Sequence, residues 1–561
     1  MLKSIKNIDL LITVSLSIIF YLLIFTSKSL SPSNINLVME GRGDVTSNYI
    51  GGVLFRAEPL SWDLFSMQSL QYPYVGSALQ TDSNPIVSFI FKLLKPLGFK
   101  AEYQFFGIWI LFNFVMSAIM SVLIFRHVFN RNNGLFQKRE RWTNMFLIIV
   151  SSVFFILSPI VVNRAFVHVN LTAHWLILAT ILIYLNNNLS PKIWLYIGLL
   201  IFISAGVHPY FSGMILPIIA ALVIKKFIKK EIRLKNVLLG GGFLCAVLVC
   251  CFFIFYMSGG ADSTRGGYGY YKANLNAFVN PYRNESLFIK KMANFNGGEN
   301  EGNNYLGLGL IILVASVCFY AIKHWRTYFY KHKEIILMCL LLTMFALSCN
   351  IHLGGLTILE YNVHHSFFEV FRSSGRFLWP VWYFLVFCSI YLLTKKYKSK
   401  VKFIIPILLI IQLIDLSPLF KTKREFVDNQ SKIEYFGQLQ SPEWSQLFQD
   451  YPHVVLPPFL FSYDDKTMLL YYDFLRQASK HHITVNTGYI AIEKKGNKAQ
   501  TEKAWNEVKR GETPSLGYKA VYIVPDDLYE EIQSKASEDS IMSNFALTIQ
   551  AIDGIRYIVC D

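Results

Sequence analysis

The sequence predicts a polytopic α-helical membrane protein with an α/β domain at its carboxyl end. Of its 561 residues, 53% are hydrophobic and 16% are charged, whereas soluble domains average about 25% charged residues. The mean hydropathy is +0.37, and apolar runs long enough to cross a bilayer recur from residue 10 to residue 420. We therefore predict a transmembrane domain over 1–420 and a second domain over 421–561.

The charges of the two predicted domains differ in sign. Residues 1–420 carry 37 Lys and Arg against 17 Asp and Glu, and residues 421–561 carry 16 against 20. The positive excess therefore accompanies the apolar part of the chain, where it falls in short loops. Such loops are typical of membrane proteins that follow the positive-inside rule. This distribution argues against a nucleic-acid partner and for contact with membrane lipids.

Eleven apolar runs predict eleven membrane spans. They lie at 8–27, 103–125, 142–162, 171–187, 191–207, 211–224, 236–257, 304–322, 334–350, 377–394 and 402–420. Basic loops follow every second span, so the amino terminus is predicted to be cytoplasmic and domain 421–561 extracytoplasmic. The long loops 28–102 and 258–303 then lie outside. Only a weak cleavage site follows the first run, so we expect that run to remain as a span.

The apolar segment 84–99 is predicted to be an interfacial helix rather than a span. It is shorter than the roughly 20 residues that a bilayer requires, and two lysines and Pro96 interrupt it. Ser83 or Asn84 can cap its amino end, with Pro85 at the first helical position.

The first outer loop contains the stretch "GRGDVTSNYIGGVLFRAE" over 41–58, where Asp44 lies between Arg42 and Arg56. We interpret Asp44 as a candidate catalytic carboxylate, although a Gly-Asp pair in a solvated turn is the ordinary alternative. Asp82, in "LQTDSNP", is the second candidate. Its carboxylate could instead serve only to cap the helix that follows.

Arginines at the predicted outer boundary require a reason, because outer loops should be poor in positive charge. Arg372 and Arg376 in "FRSSGRFLWP" are four residues apart, and on a helix they would form one fork for a phosphate. Anchoring to lipid headgroups is the alternative for any single arginine. The arginines at this boundary are Arg42, Arg56, Arg164, Arg265, Arg283, Arg372 and Arg376.

Histidines and tyrosines near the same boundary are candidate substrate contacts. His168 and His174 flank the start of the fourth span, and His208 precedes Pro209 at another outer turn. A neutral histidine bonded to a neighbouring helix is the common alternative. Loop 258–303 adds Tyr268 and Tyr270 within a Gly- and Asn-rich composition that suits sugar contact or a passive linker. No spacing resembles a zinc site, so no metal ligand is assigned.

These residue types are suited to one reaction outside the cytoplasm. A carboxylate can take the proton of an acceptor hydroxyl while arginines stabilise a departing phosphate. Because nucleotide sugars are not available there, the donor would be a sugar carried on a lipid phosphate. No cofactor is expected.

Six stretches together resemble the GT-C superfamily of polytopic glycosyltransferases, and in particular a bacterial GT-C-like inner-membrane family. They are "GDVTSNYIGGVLFR", "TDSNP", "HVNLTAHWLIL", "GGYGYYKANLNAFVNP", "EGNNYLGLG" and "FRSSGRFLWP".

The resemblance implies an inverting transfer from a polyprenyl-phosphate sugar to a cell-envelope glycan, such as O-antigen or another surface polysaccharide. It places a catalytic acid in the first outer loop, which Asp44 matches best and Asp82 second. The Asp-x-Asp pair of metal-dependent members is absent from that loop, so no metal is expected. A flippase and a donor-synthesising transferase would be functional partners.

Domain 421–561 alternates strand-like and helical runs, which predicts a partly parallel sheet. The strands are "HVVLPPF", "HHITVNTGY", "KAVYIVP" and "IRYIVCD". Its expected role is to bind the acceptor or to cover the site. Two other functions remain open at this point, namely a polymerase of glycan repeat units and a transporter or lipid flippase. A transporter should show two similar halves, and the sequence contains no such repeat.

Overall fold

A computed structural model describes residues 7–39, 43–81, 83–98, 102–129, 141–256, 267–361, 370–460, 464–490, 493–510, 512–526, 528–530 and 549–560. The chain forms two compact units. The first, here called the helical unit, comprises 1–31, 105–248 and 264–429. The second, the sheet unit, comprises 32–104, 249–263 and 430–561.

Helices dominate the described chain. In chain order they are α1 (Ile8–Phe25), α2 (Asn36–Met39), α3 (Asp44–Ala57), α4 (Pro85–Leu93), α5 (Phe106–Phe129), α6 (Arg141–Ile156), α7 (Pro159–Val162), α8 (Trp175–Asn186), α9 (Pro191–Val207), α10 (Pro209–Ile228), α11 (Leu234–Cys251), α12 (Leu308–Lys323), α13 (Trp325–Leu347), α14 (Leu378–Tyr397), α15 (Val401–Asp415), α16 (Ser417–Gln430), α17 (Glu443–Asp450), α18 (Asp465–His481) and α19 (Lys495–Lys509). Short 3-10 turns at Val169–Thr172, Gly297–Gly302 and Ser374–Phe377 contribute to the site described below.

The chain is a multi-pass membrane protein. Among the described residues, seven helices are long and apolar enough to cross a membrane, or eight if α12 and α13 form one broken span. Those two helices meet at a bend of 106°. Helix α9 has 17 residues and α15 has 15, which correspond to about 26 Å and 23 Å against a hydrocarbon core of about 30 Å. The apolar runs are helical as predicted, and the segment Ser374–Asp415, which contains α14 and α15, is one of the seven. The number of spans stays a prediction.

Packing within the helical unit brings several helix ends together. Helix α5 contacts α1, α6 and α8, and α14 contacts α12 and α13. Helix α10 begins at Pro209, directly after His208, whose ring nitrogen accepts a hydrogen bond from the Tyr210 amide. Proline suits a first helical position because it lacks the amide hydrogen that would otherwise be unpaired there. The segments at the starts of α8, α10 and α14 carry the candidate site.

The sheet unit is built on a five-stranded mixed sheet. Its strands are β5 (His453–Val455), β6 (Thr484–Val485), β7 (Ala520–Val524), β8 (Ile549–Ile552) and β9 (Ile555–Cys560), in the order β6-β5-β7-β9-β8. Strand β5 is parallel to β6 and β7, whereas β9 is antiparallel to β7 and β8. The four predicted strands are thus confirmed, and β8 was not predicted. Earlier in the chain, short hairpins join β1 (Ser66–Met67) to β2 (Gly76–Ser77) and β3 (Asn350–Leu353) to β4 (Leu356–Glu360).

The first loop belongs to the sheet unit. Leu70 forms a parallel bridge with Val485 of β6, the Val485 amide donates to the Ser69 carbonyl at 2.9 Å, and the Tyr72 amide donates to the Val485 carbonyl at 3.2 Å. Residues 69–72 therefore extend the edge of the sheet. The predicted boundary at 420/421 instead falls inside α16, because the helical unit continues to residue 429.

Helix α4 confirms the predicted cap and shows that segment 84–99 does not span. The Asn84 side chain accepts a hydrogen bond from the Val87 amide, and Pro85 occupies the first helical position. The helix has nine residues, or about 14 Å, so it cannot cross a bilayer. It packs on α3, where the Lys92 ammonium lies 4.1 Å from the ring centre of Phe55.

Candidate functional site

A cluster of two arginines and a histidine surrounds Glu301 in the helical unit. Arg164, which follows α7, donates to Glu301 Oε2 at 2.8 Å and to its carbonyl at 2.9 Å. Arg376, in the turn Ser374–Phe377, donates to Glu301 Oε2 at 2.7 Å and 3.1 Å. His168 Nε2 lies 3.3 Å from Glu301 Oε1. Three separate segments thus meet at one carboxylate.

The cluster keeps a positive excess because one carboxylate faces two permanent cations. Burial alone would raise the pKa of Glu301, but the charges of Arg164, Arg376 and His168 outweigh burial and hold the pKa well below its usual range. Glu301 is therefore ionised throughout the physiological pH range. Two guanidinium charges against one carboxylate leave about one unit of positive charge.

The predicted fork of Arg372 and Arg376 does not form. Arg372 precedes the turn that carries Arg376, and the two guanidinium groups lie over different rings. That of Arg372 is 5.5 Å from the ring centre of Tyr271, and that of Arg376 is 5.0 Å from the ring centre of Tyr210. Within the described residues no acid pairs with Arg372, which is half-buried. Arg372 is thus the arginine of this pair that remains open to an external anion.

An apolar groove lies between α10 and α11. Its volume is about 520 Å³. It runs along one face of α10 from Gly213 to Ile224, about 16 Å along the helix axis. At Gly213 a Cβ atom would lie 3.1 Å from the rings of both Phe371 and Phe377, so glycine allows these rings to approach the helix. The groove is lined by Trp194, Gly213, Leu216, Pro217, Ile219, Ala220, Val223, Ile224, Val237, Gly241 and Leu244.

The other two candidate histidines contact or cap helices of the helical unit. His174 is fully buried, with Nδ1 3.0 Å from the Tyr383 hydroxyl and its ring 4.4 Å from that of Trp379. His208 caps α10, as described above. These positions favour packing and capping over substrate contact, which is the alternative that the sequence left open.

Tyr268 and Tyr270 lie in a turn that two glycines permit. Gly267 and Gly269 have φ values of 113° and 89°, a region that favours glycine. Tyr268 packs against Phe345 at 5.8 Å between ring centres. Tyr270 is 46% exposed and packs edge-on against Tyr271, the residue beneath Arg372. Only Tyr270 of the two presents much of its surface to solvent.

In the sheet unit, Asp44 is the first residue of α3 and faces aromatic residues of the carboxyl-terminal region. Its Oδ1 accepts a hydrogen bond from the Tyr489 hydroxyl at 3.0 Å. The Tyr472 hydroxyl donates to the Gly43 carbonyl at 3.1 Å, and the Phe459 ring packs edge-on against Tyr489 at 5.4 Å. The half-buried carboxylate thus lies among phenol and phenyl rings.

Arg56 does not flank Asp44 as predicted. Both residues lie on α3, and twelve residues of helix separate them by about 18 Å. The Arg56 guanidinium donates to the Tyr103 carbonyl at 3.0 Å and lies 4.6 Å from the ring centre of Tyr103. Burial lowers the pKa of Arg56 to about 10. Arg42 and Asp82, the other candidates of this loop, and Arg265 lie outside the described residues.

Glu285 and Lys423 form a second buried polar cluster in the helical unit. Glu285 accepts hydrogen bonds from the Asn163 side chain at 2.6 Å and from the Tyr282 amide at 2.8 Å, and burial raises its pKa to about 8. Lys423, on α16, donates to the carbonyls of Asn163 and Ala165, and burial lowers its pKa to about 7. Through these hydrogen bonds, α16 and loop 267–307 both contact the segment that carries Arg164.

The raised pKa of Glu285 predicts a pH-dependent stability. The folded chain keeps this carboxyl protonated up to about pH 8, whereas the unfolded chain releases the proton near the ordinary value of 4.5. The contribution is therefore fully present below about pH 4.5 and is lost as pH rises towards 8. In detergent, the apparent Tm of the wild type should fall more steeply between pH 5 and 8 than that of Glu285→Gln. The exposed Glu360→Gln variant should keep the wild-type slope, and equal slopes in all three proteins would contradict the assignment.

Residues 14–417 match the family model "Domain of unknown function (DUF6311)", and residues 443–560 match "DUF6311 C-terminal domain". The first match covers well over half of the chain. The chain belongs to the DUF6311 family. Among curated proteins, none matches it significantly. Within the described residues of this DUF6311 protein, no three His, Cys, Asp or Glu side chains are grouped so that they could hold a metal ion.

Two residues of these sites were not predicted from the sequence. Glu301 begins the stretch "EGNNYLGLG" at the end of loop 258–303, whose composition suits sugar contact or a passive linker and singles out no acid. Tyr489 lies in "HHITVNTGY", which we had assigned only to a strand. An acid in the Gly- and Asn-rich loop of this DUF6311 chain was the available signal for Glu301. No sequence signal identified Tyr489.

Proposed function

We propose that the protein is a membrane glycosyltransferase that moves a sugar from a polyprenyl-phosphate donor to a cell-envelope glycan, with inversion at the sugar carbon. The observation that carries the proposal is the half-buried Arg372, which lacks an acid partner within the described residues and directly follows Phe371, whose ring lies against Gly213 in the wall of an apolar groove. A cation beside an apolar groove in a membrane suits a ligand with a phosphate head and a long hydrocarbon chain.

The groove and the arginines match the two halves of such a donor. The groove wall between α10 and α11 is almost wholly apolar and lies within membrane-spanning helices, so it suits the polyprenyl chain. Arg372 would bind the phosphate directly. Arg376 and Arg164 would contribute charge from a position fixed by Glu301. A planar guanidinium is well suited to a phosphate because it offers two parallel donors.

Asp44 is proposed as the general base. Its carboxylate removes the proton of the acceptor hydroxyl as that oxygen forms a bond to C1 of the sugar. The bond between C1 and the phosphate oxygen breaks, and the polyprenyl phosphate leaves as an anion. Tyr489 and Tyr472 surround Asp44 with aromatic faces, which pack well against the apolar faces of sugar rings.

This proposal places the reaction on the outer face of the cytoplasmic membrane. The donor would be made on the inner face by a donor-synthesising transferase and turned across the membrane by a flippase. Both partners follow from the chemistry, because a sugar on a polyprenyl phosphate cannot cross the bilayer unaided.

The proposal is tested by transfer in nanodiscs. The purified protein receives a polyprenyl-phosphate hexose with a radiolabelled sugar, together with envelope glycan from cells that lack the gene. We expect label to enter the glycan with the wild type and not with Asp44→Asn. If no member of a panel of polyprenyl-phosphate hexoses labels the glycan, the transferase proposal is wrong. If Asp44→Asn transfers as well as the wild type, Asp44 is not the general base.

Tyr489→Phe should slow this transfer without abolishing it. The substitution removes the hydroxyl that donates to Asp44 at 3.0 Å but keeps the ring. A net hydrogen bond is worth about 0.5–1.5 kcal/mol, so the rate should fall by about two- to tenfold. Tyr435→Phe is a matched control, because its hydroxyl donates to Asp473 instead. If Tyr489→Phe transfers at the wild-type rate, the Tyr489 hydroxyl has no role in the reaction.

A further inference from the structure

Segment 286–293 of the helical unit exposes apolar and basic side chains together. Its sequence is "SLFIKKMA", and the side chains of Leu287, Phe288 and Met292 are 55%, 57% and 41% exposed. Lys290 and Lys291 are exposed between them. Apolar side chains can enter the boundary of the acyl chains of a bilayer while lysines remain among the headgroups. We infer that segment 286–293 lies in the membrane interface, the zone of lipid headgroups, and binds an anionic phospholipid there.

Segment 286–293 is attached to the end of a membrane-spanning helix. Asp415 is the last residue of α15, which ends the segment 374–415 that is long and apolar enough to cross a membrane. The Leu287 amide donates to the Asp415 carbonyl at 2.8 Å, and the Ser286 hydroxyl donates to the Asp415 carboxylate. The amide of Leu308, the first residue of α12, donates to the same carboxylate at 2.9 Å. The segment therefore starts at the level at which α15 ends and α12 begins.

The hairpin of β3 and β4 adds a second exposed apolar surface beside this segment. It begins at Asn350, three residues after α13 ends at Leu347. Phe295, which follows segment 286–293, stacks on His352 of β3 with 3.7 Å between ring centres. The exposed leucine and isoleucine side chains of the hairpin are Leu353, Leu356, Ile358 and Leu359. Clustered exposed apolar side chains of this kind mark an interaction surface, and here that surface continues from a membrane helix.

The backbone of the hairpin favours the membrane interface over the hydrocarbon core. In the described part of the chain, β3 and β4 form a sheet of two strands, so each strand has one edge that pairs with no other strand. Open sheet edges do not occur within hydrocarbon, because their amide and carbonyl groups would find no partner there. Among headgroups, water and polar lipid groups supply the partners. The hairpin and segment 286–293 are therefore assigned to the headgroup level.

Lys290 and Lys291 carry charge that the described chain does not compensate. No acid among the described residues forms an ion pair with either lysine. The acid nearest to them in sequence, Glu285, is buried, and burial raises its pKa to about 8. The Lys291 ammonium lies 5.6 Å from the ring centre of Tyr282, a contact that leaves its charge in place. Lysines beside a membrane bind the phosphates of anionic lipids, which these two lysines therefore favour over zwitterionic lipids.

An open depression beside Lys291 offers room for a lipid headgroup. Its volume is about 500 Å³, and its lining includes Lys291 and three asparagines, Asn294, Asn296 and Asn300. The ammonium attracts a phosphate, and amide side chains both donate to and accept from hydroxyl groups. Phosphatidylglycerol presents a phosphate and a glycerol with free hydroxyls. It is therefore the phospholipid chosen to test this surface.

Photocrosslinking tests the inference with the full-length protein in nanodiscs that contain equal parts of phosphatidylglycerol and phosphatidylcholine. Benzoylphenylalanine replaces Phe288, so that an exposed ring takes the place of an exposed ring, and mass spectrometry identifies what is bonded to this position. We expect lipid adducts in which phosphatidylglycerol exceeds phosphatidylcholine about five- to thirtyfold, the range for one or two lysines near anionic lipid. The measurement requires neither sugar donor nor acceptor, so its result is independent of the proposed transferase.

Two pairs of lysine substitutions in the photoreactive protein separate the headgroup from the acyl chains. Lys290→Gln with Lys291→Gln should make the two lipids react equally, while lipid adducts persist because the apolar side chains remain. Lys229→Gln with Lys230→Gln is the matched control, because it removes the same charge just beyond the carboxyl end of α10, about 30 Å of helix away from Pro209. This control should keep the preference for phosphatidylglycerol.

Three results would overturn the inference. The first is the absence of lipid adducts at position 288. The second is an adduct with a second copy of the chain or with another protein in place of lipid, which would make this surface a protein interface. The third is a ratio of the two lipids that Lys290→Gln with Lys291→Gln leaves unchanged, because the lysines would then select no headgroup.

Discussion

Asp44→Asn is expected to abolish sugar transfer while leaving the protein folded. General-base assistance is worth about 10²–10⁴-fold, and an amide cannot take the proton of the acceptor hydroxyl. Asparagine keeps the shape of the side chain and retains an oxygen that can accept from Tyr489. Donor binding and the apparent Tm should therefore stay close to those of the wild type. Transfer would be measured in nanodiscs with the radiolabelled donor.

Two other acids of the first loop serve as controls for Asp44. Asp63 is exposed, and Asp63→Asn should transfer at the wild-type rate. Asp82→Asn should lose less activity than Asp44→Asn if Asp82 only caps the following helix. Should Asp82→Asn be inactive and Asp44→Asn active, the two roles are exchanged. If both variants stay active, the transferase mechanism fails.

Arg372→Ala should weaken binding of a short polyprenyl phosphate such as farnesyl phosphate by about ten- to a hundredfold. A hydrogen bond to a charged group is worth about 1.5–3 kcal/mol, and Arg372 has no acid partner among the described residues that would take up its charge. The affinity of Arg372→Lys should lie between those of the wild type and Arg372→Ala, because lysine keeps the charge but lacks the planar pair of donors. Calorimetric titration of the purified protein measures all three affinities.

Variants of two other arginines test whether Arg372 binds the phosphate itself or only adds to the positive charge of the protein. Arg283 is exposed, and Arg283→Ala should bind the ligand normally. Arg376→Ala should lower the Tm as well as the affinity, because breaking a buried ion pair costs about 3–5 kcal/mol and Glu301 loses one of its two arginines. If Arg372→Ala binds the ligand with unchanged affinity, Arg372 does not bind the phosphate, and anchoring to lipid headgroups becomes its assigned role.

The sequence predicted local structure well where a regular pattern existed. Apolar runs marked the membrane helices, and Asn84 followed by Pro85 correctly marked the start of α4. Hydropathy does not report where a bend occurs, so the 106° bend between α12 and α13 was not predictable. Helix α3 was not predicted either, because Gly51 and Gly52 lower the helix propensity of its sequence. Gly51 is required there because a Cβ would overlap the Thr81 side chain at 1.7 Å.

The candidate site depended on long-range partners that no local pattern encodes. Spacing alone suggested that Arg372 and Arg376 act together, but Glu301 engages Arg376 and leaves Arg372 apart. Likewise, Arg56 seemed to flank Asp44 until the intervening residues formed a helix of about 18 Å. The positions of candidate groups along the chain were predictable, whereas their pairing required the packed structure.

The strand-like segment 69–72 has a consequence for how the protein is made. Its partner Val485 is synthesised roughly 400 residues later, which at about 5–20 residues per second means a wait of about 20–80 s. During that interval the backbone groups of 69–72 that later bond Val485 have no strand to pair with, and such edges readily associate with other chains. Until the carboxyl-terminal strands emerge, segment 69–72 is therefore an unpaired strand edge of the nascent chain.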